Sequence, residues 1–137
     1  MNSRSGQALN TKSPSNLRIV RAVDRRPDVA SGAMVREAAI SNALVGAERI
    51  WVGYVELPPG MSSAAHHHGE CESAIYIISG EAKFRTGEGY RSVESALPGD
   101  FVWVPPFVPH IEENASPSEP VCMVVVRSTQ ETLVFNL

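Results

Sequence analysis

From Arg49 to Leu137 the chain is cut into short runs of β-branched and aromatic residues, most of them bounded by glycine or proline, with no stretch of helical period and length. RIWVGYVEL (49–57) closes on Pro58-Pro59-Gly60, SAIYIIS (73–79) on Gly80, and EAKFRT (81–86) on Gly87-Glu88-Gly89. YRSVES (90–95) follows, Pro98-Gly99-Asp100 opens FVWV (101–104), and Pro105-Pro106 ends it. After a loop from Asn114 to Pro120 come VCMVVVRS (121–128) and ETLVFNL (131–137). Short strands recurring every ~8–12 residues between turn signals define an all-β sandwich or barrel. Upstream, LRIVRAV (17–23) alternates as a half-buried strand does, whereas 32–48 reads as a strand or a helical turn.

The 137 residues suit one core. We expect residues 1–16, polar and poor in apolar side chains, to be a flexible arm, and 17–137 to be a single domain. The net charge of −3, without a basic stripe, argues against nucleic acid as a partner. No apolar run approaches the ~18 residues of a membrane span, so no membrane partner is expected. The polar N-terminus lacks the apolar core of a secretory signal, which places the expected location in the cytosol. Two cysteines are too few for a disulfide framework. Cys122, inside VCMVVV, reads as a small buried hydrophobe.

All four histidines lie in two places, His66-His67-His68 and His110. Residues i and i+2 of a strand share a face, so His66 and His68 can converge while His67 points away. An imidazole arriving from His110 would complete a three-nitrogen set suited to a divalent ion such as Zn, Fe, Mn, Ni or Cu. Three solvated histidines at a strand end would give the same run, and spacing alone leaves both readings open. Glu70 and Glu72 stand near enough in sequence to add an oxygen.

The surrounding residues resemble both motifs of the cupin superfamily. The first, G-x5-H-x-H-x3 or 4-E-x6-G, is met by Gly60, His66, His68 and Glu72, with Gly80 one residue late. The second, G-x5-P-x-G-x2-H-x3-N, is met by Gly99, Pro105, His110 and Asn114, with Phe107 in place of the motif glycine. The match spans 60–114, and the HHHG-x-x-E-S run is similar to that of small bacterial single-domain cupins. The resemblance implies a jelly-roll barrel of two antiparallel sheets binding a metal through His66, His68, Glu72 and His110. The late glycine bears on the acid. Counting back from Gly80 by the family interval lands on Ser73, and a one-residue shift turns a side chain to the opposite face unless a bulge absorbs it. A water, Glu70, His67 or Cys71 is the alternative occupant of the fourth position.

Such a metal keeps an open position for a small-molecule substrate, and the fold does not select the reaction. The leading expectation is a metal-dependent enzyme of oxygenase, isomerase or lyase class, with no catalytic residue assigned beyond the ligands. A non-catalytic ligand-binding or sensing module is the alternative, and a metal-free epimerase with His66 as base would leave the histidine convergence unused. Trp51, Tyr54, Tyr76, Phe101 and Trp103 are candidates for the pocket wall, and Arg85 and Arg91 for contact with an anionic substrate. The excess of apolar strand positions over what so small an interior can hold predicts a homodimer.

Overall fold

The computed structural model describes residues 16–131 and 134–137. The expected arm lies outside the described residues except for Asn16. Leu17 to Arg21 pairs with no strand among them, and a 3₁₀ turn, Ala22–Asp24, follows. The alternation that predicted a strand here finds no layer to pack on, and Leu17, Ile19 and Val23 are exposed.

The first strands are β1 (Arg26–Pro27) and β2 (Val35–Ile40), followed by a single helical turn, α1 (Asn42–Val45). The ambiguous stretch is therefore a strand and a turn in succession. Ser41 caps α1 by accepting from Leu44 N at 3.2 Å, and Gly46 ends it. Then come β3 (Trp51–Leu57), β4 (His66–His67), β5 (Ser73–Ser79), β6 (Ala82–Thr86), β7 (Ser92–Ala96) and β8 (Phe101–Val104). β9 (Ile111–Glu113), β10 (Val121–Arg127) and β11 (Phe135–Asn136) complete the series.

Six strands form one antiparallel sheet in the order β1-β2-β3-β10-β5-β8. β7-β6-β9 and β11-β4 are two smaller sheets. His66 N donates to His110 O at 3.1 Å and His110 N to His66 O at 2.9 Å, which stitches the smaller sheets into one second layer. Strict alternation faces Val55, Leu57, Ile75, Ile77, Val121, Met123 and Val125 inward from the large sheet. They meet Ala82, Phe84 and Ala96 of the second layer. The result is an all-β jelly roll of two face-packed antiparallel layers; the turn spacing predicts the all-β class and the family resemblance the jelly roll. No helix among the described residues is long and apolar enough to cross a membrane.

Gly53 decides how one end of this interior is filled. A Cβ there would lie 2.2 Å from Cη2 of Trp51, so the strand has surrendered a side chain to let the indole lie along it. The Trp51 indole N–H donates to Asp28 Oδ2 at 3.1 Å, which fixes the ring in plane.

Candidate metal centre

β4 is only two residues long, and pairing on both sides holds it. His66 faces His110 on one side and Asn136 on the other. Leu137 N donates to Ala65 O at 2.8 Å, and buried Ser31 donates to Asn136 Oδ1 at 2.9 Å. Gly32, at φ +60, packs directly on the lead-in to the strand, where a Cβ would meet Ala64 N at 2.6 Å. Between these braces His66 and His68 turn inward and are buried. His67 takes the opposite face and stacks on Phe135, with ring centroids 5.1 Å apart.

His66, His68 and His110 bring one donor atom each to within 4.8 Å of one another. A carbonyl oxygen can only accept, so the contact of His66 Nδ1 with Ala64 O at 2.8 Å places the ring proton on Nδ1. His110 Nδ1 meets Val108 O at 2.9 Å in the same way. Each imidazole thus presents a bare Nε2 to the interior, and both Nε2 atoms are buried without a hydrogen-bond partner. Fixing the far nitrogen so that the near one is free is how proteins prepare histidine for a metal.

The structure adds a residue that the motif reading misses. Glu112, 2% exposed, sets Oε2 at 3.4 Å from His110 Nε2 and 3.6 Å from His66 Nε2. Ligands bound at ~2.0–2.2 Å in a tetrahedral site stand about 3.3–3.6 Å apart, so these two separations suit an oxygen beside the ion, although Glu112 stands outside the group formed by the three histidines. Ser63 holds Glu112 from both ends. Ser63 N donates to Glu112 O at 2.7 Å, and Glu112 N donates to Ser63 Oγ at 2.9 Å. The signal was present in the sequence, because His110-Ile111-Glu112 repeats the i, i+2 pattern of His66 and His68.

The electrostatics separate the two anchored histidines. Burial opposes ionisation of Glu112, yet His110, His66 and Arg36 together hold its pKa below the usual carboxylate range. Burial also opposes charging His110, but the facing carboxylate tips its pKa above the ordinary value. At His66 burial prevails and the pKa is lowered, which favours the neutral form a metal requires.

Glu72, the acid that the resemblance implies, is not among the three converging residues. It is exposed, and its Oε1 accepts from the Trp103 indole N–H at 2.8 Å. The reason is strand parity. Ser73, Ile75 and Ile77 are the inward residues of β5, and the register irregularity lies at the far end, opposite Cys122 and Met123. No bulge at 72 turns the acid in. Glu70 is exposed. Cys71 is buried, its thiol donating to Glu72 O at 3.3 Å and accepting from Ser128 Oγ at 3.8 Å.

Of the candidate wall aromatics only Trp51 is buried in the interior; Tyr54 is half-buried, and Tyr76, Phe101 and Trp103 are exposed. Arg85 pairs with Glu113 at 3.0 Å and Arg91 is exposed. The interior holds Arg36 and Arg127 instead. A cleft of about 180 Å³, bounded by Phe84, Val104, Val108 and His110, reaches one of the histidines, His110. Asn114 serves structure: its buried amide donates to Leu57 O at 3.1 Å and to Glu119 O at 2.8 Å, tying the two loops beside the site.

A two-layer jelly roll with three convergent imidazoles at its mouth defines a metal-capable cupin-type barrel. The Cupin domain family matches residues 53–127, and the chain belongs to that family. No curated protein matches the sequence significantly. Among solved structures, the polyketide cyclase RemF from Streptomyces resistomycificus is 21% identical with a TM-score of 0.72, over 89% of this chain and 86% of that one. A protein with a double-stranded β-helix domain from Klebsiella pneumoniae is 21% identical with a TM-score of 0.62, over 96% and 97%. A predicted oxalate decarboxylase from Thermotoga maritima is 20% identical with a TM-score of 0.66, over 82% and 99%.

Proposed function

We propose that this cupin is a metal-dependent enzyme acting on a small molecule, of oxygenase, isomerase or lyase class. His66, His68 and His110 would hold one divalent ion, with Glu112 as the oxygen donor. The observation that carries the reading is the convergence of three buried imidazoles, two of them with Nδ1 already anchored by Ala64 O and Val108 O. An ion bound there supplies a Lewis acid that polarises a carbonyl or orients a substrate oxygen. The protein's part is to orient the ligands and to exclude water with the Phe84–Val104 wall. Glu112 Oε1, buried and without a partner, is left free to accept a hydrogen bond from a bound ligand.

The test is elemental analysis of protein purified without added metal. Wild type should carry one ion per chain, and folded His66→Ala and His110→Ala should each lose most of it. Wild-type metal content in either variant refutes the site. A dioxygen-uptake screen of the loaded protein then separates the oxygenase reading from the other two.

A further inference from the structure

Two arginines sit inside the barrel with most of their N–H groups unbonded. Arg127, on β10, is 0% exposed, and its Nε, Nη1 and Nη2 all lack a hydrogen-bond partner. Arg36, on β2, is 4% exposed, and its Nε and Nη1 lack one too. Among the described residues neither guanidinium forms an ion pair. The Trp51 indole lies against both, 4.1 Å from Arg127 Cζ and 5.7 Å from Arg36 Cζ. The one carboxylate fixed on that indole, Asp28, spends its oxygens on the Trp51 N–H and on Val29 N.

This arrangement is built, not incidental. The register aligns Trp51, Arg127 and Ser73 in one row across β3, β10 and β5. Ser73 is buried, and its hydroxyl is also without a partner. The gap at Gly53 is what lets the indole lie within reach of both guanidinium groups. Burial, and then the charge of Arg36, bring the Arg127 pKa down to about 10. Asp28 acts on both charges and Glu112 on Arg36, yet neither accepts from the buried N–H groups, and those orphaned forks match an oxyanion in shape.

We propose that Arg36, Arg127 and Ser73 form an oxyanion-binding subsite inside the barrel, taking the carboxylate or phosphate of a small ligand whose other end faces the histidines. The subsite shares the interior with the metal centre, since Arg36 acts electrostatically on both Glu112 and His66. To that extent it rests on the proposed function and names its substrate class: an organic acid or a phosphate ester. Arg36 and Arg127 would position the ligand, leaving chemistry to the histidine end.

The test uses metal-free protein, so that an anion held by the metal alone cannot mimic the result. Trp103→Phe leaves Trp51 as the sole tryptophan and touches neither arginine. Its emission is titrated with malonate and with inorganic phosphate, against chloride at matched ionic strength. The expected result is a saturable change with one of the two probes, weakened at least tenfold by Arg127→Met and by Arg36→Met. Malonate or phosphate as the stronger probe decides between acid and phosphate ester. The methionine variants should melt no lower than wild type in chloride, because each removes an unpaired buried charge. If a variant does not fold, the Trp51 titration of the parent protein decides alone. A response no different from chloride, or one that survives both methionine substitutions, overturns the subsite. The metal reading is scored apart, by metal content: Arg127→Met should keep it, whereas His66→Ala should not.

Discussion

At Phe107 the chain carries a bulky side chain where the second cupin motif has glycine, and the backbone keeps the glycine's shape, φ +62. Phe107 N donates to Gly69 O at 2.7 Å, so the loop below the histidines holds the residue in the left-handed region. Phe107→Gly should therefore be more stable than Phe107→Ala by about 1 kcal/mol, the reverse of the usual order, since both lose the ring and only alanine keeps the Cβ clash. Urea unfolding with equal slopes for the two variants would show it; alanine the more stable would mean the strain is absent. The two acids give a second comparison at this scale. Glu112→Gln should weaken metal binding by about 10–100-fold, while Glu72→Gln, which only loosens the Trp103 contact, should leave it unchanged. Competition with a chelator of known affinity measures both. The reverse pattern would return the oxygen donor to Glu72.

Among elements, the runs with uninterrupted alternation were legible, and FVWV is β8 to the residue. Those that escaped notice were β1, β9 and the true extent of β11, each two or three residues long. Such strands have no period of their own, and partners far away in sequence create them. The histidine pair was read correctly because parity survives even in so short a strand. Arg127 was missed for the opposite reason. Parity puts it in line with Val121, Met123 and Val125, but arginine is so seldom buried that the pattern was not followed to its end. Gly53→Ala tests this inner row directly. It should cost about 1–3 kcal/mol by pushing Trp51 off its seat, and should shift Trp51 emission in the Trp103→Phe background. An unaltered spectrum would mean the indole does not depend on that gap.

For the molecule as a whole, the outer face of the large sheet remains to be accounted for. Phe101 is 76% exposed and Trp103 64%, and both lie on β8, the edge strand, with Tyr76 packed against Phe101 at 4.8 Å. An apolar face ending in an unpaired edge is the surface a second copy would cover. We expect a homodimer closed across this face, and Phe101→Glu should break it. Light scattering at micromolar concentration checks both, and a monomeric wild type would refute the dimer.

The reciprocal bonds between His66 and His110 have a consequence in terms of symmetry. A pair of strand residues that exchange both backbone hydrogen bonds lies on a local two-fold axis. Here the axis relates His66 to His110, Ala64 to Val108, and His68 to Glu112. Each half carries its own proton anchor two residues before the histidine and its own second donor two residues after. In its inward donors the centre is thus a pseudosymmetric pair of five-residue units, with nitrogen at one outer position and oxygen at the other. Glu112→His would restore the symmetry, giving four nitrogens in place of three and an oxygen, and should draw the site toward softer ions.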